Sequence, residues 1–197
     1  MSEAVQHTLN GIDVERFLGI AQAVARWPEL GRFHFRAENA WISGGHTRST
    51  VQGFYGAGGE DMSRTAPFVL DSDEPGLLLG HDRGASPVEY VLHALAACLT
   101  TTLALQATAR GIRLEGIEAR LEGSLDLAGF FGTREDARTG LDRVDVWLRL
   151  RGQMTERQRR ELAESASERS PVFDILARPV SITVTVEQDA GVKDSVR

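Results

Sequence analysis

The alternation of apolar and polar residues predicts several short antiparallel strands, each with one buried face. Apolar side chains alternate with polar ones from Phe33 to Trp41 and from Ile117 to Leu127. The turn residues Ser43 to Gly45 separate the first of these strands from a second arm at His46 to Tyr55, which predicts a hairpin. This second arm is polar on both faces, so we expect it to form a sheet edge or to line a site.

The strongest helix signal lies near the middle of the chain, from Pro87 to about Ala109. Ser86 is positioned as its N-cap, and Glu89 completes a capping box three residues later. Gly111 follows as a C-terminal breaker. The stretch is long and poor in charge, but Glu89 and His93 interrupt it, and we expect a buried core helix instead of a membrane span.

The remaining pattern completes an α+β fold. Residues 3–26 are predicted to form a helical N-terminal extension that Asn10, Gly11 and Asp13 interrupt, with Asp13 as the N-cap of a helix from Val14 to Arg26. The order of elements is helix, three strands, helix, two strands, two helices and strand, and it favours antiparallel sheets packed on helices. Further strands are expected at Ala66 to Leu70, Val144 to Leu150 and Val180 to Val186. A further helix is expected at Thr155 to Arg169, where Thr155 is the cap and Gln158 its partner. A last helix is expected at Val172 to Leu176, and Ser170 and Pro171 begin it.

Composition narrows the classes of function. The 197 residues include 22 Lys+Arg and 28 Asp+Glu, a net charge of -6, which makes the chain a poor non-specific nucleic-acid binder. The single cysteine, Cys98, excludes an intrachain disulfide and a cysteine-based zinc site within one chain. The N-terminus, Met1 to Ala4, shows no signal-peptide pattern, and we expect a cytoplasmic protein without membrane contacts.

The motifs predict neither a cofactor nor a metal site. The sequence has no GxGxxG after a strand, no Walker A loop, no HExxH and no GxSxG. The Gly-rich segment Gly56 to Arg64 is predicted to be a loop, and its acidic Glu60 and Asp61 have the wrong charge for a phosphate cradle. The five histidines lack the close spacing of metal ligands.

Cys98 is the main candidate for chemistry, and two interpretations of it stay open. Ala94, Ala97 and Thr101 are its helical neighbours, so Cys98 could belong to a stripe of small residues that lets another helix approach. Alternatively, it is a reactive thiolate. A mid-helix thiolate gains nothing from the helix dipole and needs a nearby cation, which must come from elsewhere in the fold or from a second subunit.

Two segments around the central helix resemble the signature of the OsmC/Ohr superfamily of osmotically inducible and organic-hydroperoxide-resistance proteins. They are Gly84-Ala85-Ser86-Pro87-Val88-Glu89 and His93-Ala94-Leu95-Ala96-Ala97-Cys98, with Pro87 and Cys98 eleven residues apart as in the family. Ser170-Pro171-Val172 stands where the family usually has Cys-Pro. The resemblance covers roughly residues 32–187. It divides the chain into an N-terminal helical extension (1–30), an OsmC-like domain (31–188) and a polar tail (189–197).

The resemblance implies an intertwined α+β homodimer, in which antiparallel sheets surround two core helices per chain. It also implies a reactive cysteine that attacks the peroxide oxygen and becomes a sulfenic acid, a second cysteine that closes a disulfide, and a dithiol that reopens it. In the family, an arginine from the N-terminal hairpin and a glutamate near the start of the central helix stabilise the thiolate.

Carried over to this chain, the family pattern is incomplete. Cys98 matches the attacking cysteine, but Ser170 occupies the position of the second one, so an external thiol must resolve any sulfenic acid. Val88 stands where the family glutamate usually follows the proline. Glu89 lies one place later, nine residues before Cys98. Two interpretations of Glu89 stay open: it is the acid of the capping box, or it is a catalytic partner of Cys98.

The arginine of the hairpin is best matched by Arg48, although an exposed strand charge would explain Arg48 equally well. His46 is a rival for this position. Arg83, just before the central helix, is a further cation that could reach the thiol.

Two main hypotheses follow. The first is a one-cysteine thiol peroxidase of organic hydroperoxides, with Cys98, Arg48 and Glu89 as catalytic residues and an external thiol as reductant. The second is a catalytically depleted dimer that binds a small hydrophobic ligand. The first requires an accessible and activated thiol, and the second a buried and unreactive one beside a pocket. A third hypothesis is a partner-binding module that uses the N-terminal helix and the polar helix at Thr155 to Arg169.

Overall fold

The structure is a computed structural model that describes residues 8–178 and 180–187. It has an N-terminal part of small antiparallel sheets and a C-terminal part in which a two-stranded antiparallel sheet packs against helices, which confirms the α+β prediction. The strands are β1 (Thr8–Leu9), β2 (Ile12–Asp13), β3 (His34–Phe35), β4 (Glu38–Ser43), β5 (His46–Val51), β6 (Phe54–Gly56), β7 (Gly59–Asp61), β8 (Phe68–Ser72), β9 (Leu114–Ser124) and β10 (Arg143–Gly152). The helices are α1 (Val14–Arg26), α2 (Pro87–Ala109), α3 (Leu127–Phe130), α4 (Glu156–Arg169) and α5 (Pro171–Ala177), with 3-10 turns at Pro28–Gly31 and Gly76–Leu78.

The N-terminal extension contains a tight hairpin before its helix. Asn10 and Gly11 connect β1 to β2 with positive φ angles of 54° and 77°, the conformation of a type I′ turn. The predicted interruption at Asn10 and Gly11 is confirmed, because the pair forms this turn. The flanking residues 8–9 and 12 are strand residues, so the prediction of helix there is wrong, and residues 3–7 lie outside the described residues. The cap is confirmed, because the Asp13 carboxylate accepts a hydrogen bond from the Arg16 backbone N–H at 3.0 Å.

The strand predicted from Phe33 to Trp41 is divided between two sheets. β3 pairs with β6 in a sheet completed by β7, whereas β4 pairs with β5, which in turn pairs with β8. The break falls at Arg36, whose guanidinium donates to both carboxylate oxygens of Glu60 on β7 at 2.9 and 2.6 Å. The hairpin of β4 and β5 is confirmed, although β5 ends at Val51 and the segment after it joins the other sheet.

The Gly-rich segment predicted as a loop is a second hairpin. Ala57 and Gly58 join β6 to β7 with φ angles of 51° and 86°, which again is a type I′ turn. Each of the two strands is three residues long. So few residues carry too little alternation to distinguish a strand from a loop in the sequence.

The core of the C-terminal part lies on one face of α2. Leu95, Leu99, Leu103 and Ala107 repeat every four residues and are buried. They belong to one hydrophobic cluster with Leu162 of α4, and side chains of β9 and β10 pack against that cluster. The sheet therefore covers α2 from one side, and α4 covers it from another.

The predicted ends of α2 and α4 are confirmed. The Ser86 hydroxyl accepts a hydrogen bond from the Glu89 backbone N–H, the Thr155 hydroxyl accepts one from Gln158, and both capping boxes are complete. Gly111 follows α2 with a φ of 68°. These bonds satisfy backbone groups at the helix ends without help from distant parts of the chain.

By length and composition alone, α2 is apolar enough to cross a membrane. It contacts β9, α4 and α5, as the central helix of a folded domain does. The prediction of a buried core helix is confirmed for one face only. The opposite face, with Val91, His93, Ala97 and Thr101, is exposed in the single chain.

The predicted last strand does not form within the single chain. Residues 180–187 contain no assigned strand, and the side chains of Val180, Ile182, Val184 and Val186 are 50 to 88% exposed. The alternating pattern is real, but a strand also needs a neighbouring edge, and no described residue pairs with this segment. This prediction is corrected accordingly, and the tail predicted at 189–197 lies outside the described residues.

Candidate functional site

Cys98 lies where the buried and the exposed faces of α2 meet. Its neighbour Leu99 and the preceding Leu95 are buried, whereas Ala97 and Thr101 are exposed. The thiol is free and half-buried. Its position gives a small molecule access to the sulfur and keeps apolar side chains beside it.

An ion-pair cluster joins β5 to β8 in the N-terminal part. Arg48 and Asp71 are paired in the strand register, and the guanidinium donates to the two carboxylate oxygens at 3.0 and 3.3 Å. His46 contacts the same carboxylate, with 2.7 Å between Nε2 and Oδ1. Hydrogen bonds from Arg48 and then from His46 hold the pKa of Asp71 below its ordinary value. Asp71 is therefore an ionised carboxylate that holds two basic side chains.

Asp73 fixes the loop that brings Arg83 to this cluster. The residue is only 1% exposed, and its carboxylate accepts backbone N–H bonds from Glu74 at 2.8 Å, His81 at 3.1 Å and Arg83 at 3.4 Å. Burial by itself would raise the pKa of Asp73, but these three bonds together lower it. In this loop the Arg83 Nη1 atom lies 3.4 Å from Nδ1 of His46.

The three basic candidates from the sequence, His46, Arg48 and Arg83, therefore form one cluster. It is tied to α2, because the Tyr90 hydroxyl donates to the Asp71 carbonyl oxygen at 2.8 Å. Tyr90 precedes Cys98 by eight residues, or about 12 Å along the helix axis. Within one chain the cluster thus lies about two helical turns from the thiol.

Glu89, the third catalytic candidate, is occupied by the helix cap. Its carboxylate accepts a hydrogen bond from the Ser86 backbone N–H at 2.7 Å, and this bond lowers the pKa of Glu89. Nine residues along an α-helix correspond to about 13.5 Å and to half a turn in direction. Glu89 and Cys98 are therefore far apart and on opposite sides of α2.

Ser170 has a structural role at the position of the second family cysteine. It is 1% exposed, and its hydroxyl accepts a hydrogen bond from the Phe173 backbone N–H at 3.2 Å as the N-cap of α5. A buried capping hydroxyl cannot take part in thiol exchange.

Sequence reasoning missed Asp71, Asp73 and Tyr90, which organise the cluster. One signal for Asp71 was present, because β5 is polar on both faces and such a strand needs polar partners on the strand beside it. The pairing of Arg48 with Asp71 depends on the register between β5 and β8, which the sequence does not display. Asp73 acts through loop backbone groups and leaves no periodic pattern.

An apolar groove opens between α2, α5 and the start of β10. Its volume is about 260 Å³, with Leu95, Leu141, Val144, Phe173 and Leu176 among its walls and charged residues at its rim. Leu95 lies one helical turn before Cys98, so their Cβ atoms are about 5–6 Å apart. The groove offers a small molecule an apolar surface, and Cys98 is not among the residues that line it.

No group of three or more potential metal ligands occurs among residues 8–178 and 180–187. The chemistry that these residues offer is that of the thiol, the cationic cluster and the apolar groove.

Solved structures show the same fold at low sequence identity. An OsmC-like protein from Mycoplasma pneumoniae is 19% identical, with 73% of this chain and 86% of that chain covered and a TM-score of 0.57. An organic hydroperoxide resistance protein OsmC from Legionella pneumophila is 18% identical, with coverages of 72% and 88% and a TM-score of 0.51. An OsmC-like protein of unknown function from Vibrio cholerae is 14% identical, with coverages of 72% and 92% and a TM-score of 0.50.

No curated protein sequence matches the chain. The family model described as "OsmC-like protein" matches residues 80–185, which include α2, β9, β10, α4 and α5. This match spans more than half of the chain and contains Cys98. The chain therefore belongs to the OsmC-like protein family.

Proposed function

We propose that the protein reduces organic hydroperoxides with Cys98 as its only redox-active residue and an external thiol as reductant. The observation that carries this proposal is the half-buried free thiol on the central helix. An apolar groove that Leu95 lines, one helical turn before Cys98, supports it, although Cys98 itself does not line the groove. The groove offers an organic peroxide apolar contacts that hydrogen peroxide cannot make. Membership of the OsmC-like family, in which one structural neighbour is named for organic hydroperoxide resistance, supports the same chemistry.

The first step oxidises the sulfur by two electrons. The Cys98 thiolate attacks the terminal oxygen of the hydroperoxide, an S–O bond forms and the O–O bond breaks. The departing alkoxide takes up a proton and leaves as an alcohol, and Cys98 becomes a sulfenic acid.

The second step needs a thiol from outside the chain, because the sequence contains one cysteine and Ser170 is a buried cap. This thiol attacks the sulfenic sulfur, forms a mixed disulfide and releases water. A further external thiol then displaces Cys98 from the mixed disulfide. Two external thiols are thus oxidised to a disulfide for each hydroperoxide reduced to its alcohol.

We further propose that the working form is a homodimer. The accessible surface of the chain is 15,334 Å², compared with about 9,200 Å² for a compact monomer of 21.5 kDa. The eighteen residues outside the described ranges would supply only part of this difference, even at full exposure. In the N-terminal part, Trp41, Phe68 and Val69 are 53 to 71% exposed. A second copy would cover these side chains and the open face of α2.

The dimer would also supply the cation that the thiolate needs. The cluster that holds Arg48 contacts α2 at Tyr90, about two helical turns before Cys98 of the same chain, and a guanidinium stabilises a thiolate only at close range. We propose that the N-terminal sheet of each subunit covers α2 of the other. In that arrangement Arg48 of the partner subunit approaches Cys98.

The test is single-turnover oxidation of Cys98. Reduced protein is mixed with one equivalent of cumene hydroperoxide, and the sulfur state is read by intact mass with and without a sulfenic-acid trap. Hydrogen peroxide and Cys98→Ser serve as controls. We expect fast oxidation that prefers the organic peroxide and is lost in Cys98→Ser. Oxidation no faster than that of a free cysteine would refute the proposal.

The second candidate is a dimer that binds a small hydrophobic ligand without turnover. The groove favours it, and so does the use of Glu89 and Ser170 as helix caps. Val88 stands at the family glutamate position and Ser170 at that of the second cysteine, so neither position carries the family's catalytic group. This candidate predicts slow oxidation of Cys98 together with saturable binding of an apolar fluorescent probe. Ala177→Trp, which places a large side chain in the groove from an exposed position on α5, should abolish that binding.

A further inference from the structure

The Arg48 side chain is held unusually well for a strand residue that is half exposed. Its Nε and Nη2 atoms donate to the two oxygens of Asp71, and this two-point contact fixes the plane of the guanidinium. The edge that carries Nη1 has no protein acceptor among the described residues. The side chain is 50% exposed, so this edge can meet a group from outside the chain.

The carboxylate of Asp71 is itself held by a contact with His46. The imidazole side chain is 9% exposed, and its Nε2 atom lies 2.7 Å from Oδ1 of Asp71. Its other nitrogen, Nδ1, faces the Arg83 guanidinium at 3.4 Å. Both ring nitrogens of His46 therefore have a partner, Nε2 in Asp71 and Nδ1 in Arg83.

The loop behind this contact is rigid as well. The buried Asp73 carboxylate accepts three backbone N–H bonds, including one from Arg83, and so fixes the approach of Arg83 to His46. A continuous series of contacts therefore leads from Asp73 to Arg48, and it passes through Arg83, His46 and Asp71.

Glu89, the acidic residue in the first turn of α2, does not hold Arg48 in this way. The carboxylate of Glu89 accepts the Ser86 N–H as part of the helix cap, on the side of α2 opposite to Cys98. β8, in contrast, carries a carboxylate, Asp71, in direct contact with Arg48.

We propose that Asp71, braced by His46 and Arg83, is the positioning residue that orients the Arg48 guanidinium toward the Cys98 thiolate in the dimer. This inference rests on the proposed function. Asp71 acts through Arg48 and does not itself touch the sulfur. The arrangement replaces a carboxylate on the central helix with one on the N-terminal sheet.

A second ion pair provides a matched control. Arg36 and Glu60 also make a two-point contact, through Nη1 and Nη2 at 2.9 and 2.6 Å, and both side chains are at least half exposed. No buried histidine contacts Glu60 among the described residues. Glu60→Gln therefore removes an equivalent ion pair outside the cluster.

The experiment uses the full-length protein and its Asp71→Asn, Arg48→Lys, Glu89→Gln and Glu60→Gln variants. Two quantities are measured: the rate of Cys98 oxidation by cumene hydroperoxide at pH 7, and the pH midpoint of Cys98 alkylation by iodoacetamide. We expect Asp71→Asn and Arg48→Lys to slow oxidation about tenfold and to raise the alkylation midpoint by about one pH unit. Glu60→Gln should change neither quantity.

The outcomes separate the inference from the proposed function. Fast wild-type oxidation that Asp71→Asn and Arg48→Lys leave unchanged would overturn the inference alone. The same holds if Glu89→Gln moves the alkylation midpoint and Asp71→Asn does not. Wild-type oxidation at the rate of a free thiol would overturn the proposed function and the inference with it. If Asp71→Asn does not fold, Arg48→Lys decides, since lysine keeps the charge but cannot make the two-point contact.

Discussion

Asn10 should be one of the residues on which the stability of the chain depends most, although it lies in a two-residue turn near the N-terminus. Its side-chain amide donates to Thr108 Oγ1 at 3.1 Å and to the Ile112 carbonyl at 2.9 Å, and its Oδ1 accepts from the Leu114 N–H at 2.8 Å. At about 1 kcal/mol for each hydrogen bond, their loss costs about 3 kcal/mol. The φ angle of 54° adds about 1 kcal/mol when a residue with a Cβ and no local hydrogen bond stands there.

Asn10→Ala should therefore lower the free energy of unfolding by about 4 kcal/mol, and Asn10→Gly by about 3 kcal/mol, because glycine adopts positive φ without strain. The assay is urea unfolding followed by far-UV circular dichroism at one fixed protein concentration. An exposed substitution on the same extension, Gln22→Ala, is the control. If both Asn10 variants lose less than about 1 kcal/mol, or if glycine is worse than alanine, the anchoring role is refuted.

Three further predictions concern the core, the assembly and the response to pH. Leu103→Ala, in a fully buried position, should cost about 2–5 kcal/mol in urea unfolding, and a smaller loss would contradict the packing. A mixture of Cys98→Ser and Arg48→Gln proteins, dissociated and reassembled, should regain the fast oxidation by cumene hydroperoxide that neither parent shows, since one site of the mixed dimer is complete. If Arg48→Gln alone is slow and the mixture shows no recovery, Arg48 acts in the same subunit as the thiol. The lowered pKa values of Asp71 and Asp73 mean that their contribution to stability is present above the ordinary aspartate pKa and is lost as the pH falls through the lowered values. Acid unfolding of Asp71→Asn should accordingly be less steep than that of the wild type, and identical curves would contradict the linkage.

Features encoded by neighbouring residues could be predicted from the sequence. The capping boxes at Ser86 and Thr155 involve residues three apart, and the buried face of α2 follows from helical spacing. The family resemblance rested on the same helix, so the central element and the α+β class were both predicted correctly.

Features that depend on distant pairing could not be predicted in the same way. The alternation from Phe33 to Trp41 does not show that its two halves pair with β6 and β5, respectively. The segment 180–187 has a strand pattern, but none of the strands among residues 8–178 pairs with it. The candidate site could be predicted only in part for the same reason. Arg48, His46 and Arg83 were identified as single residues, but the contact of Arg48 and His46 with Asp71 depends on the register between β5 and β8.

The unpaired segment at residues 180–187 has a consequence for how the protein is made. It alternates valine and isoleucine with serine and threonine, carries one charge, at Glu187, and contains no proline. Such a segment, with free backbone groups on both edges, is a template for aggregation until a strand pairs with it. Newly synthesised chains therefore face a competition between correct pairing, which removes the exposed edge, and self-association through the same edge. Refolding yield should depend on how fast this segment finds its pairing strand relative to other copies of itself.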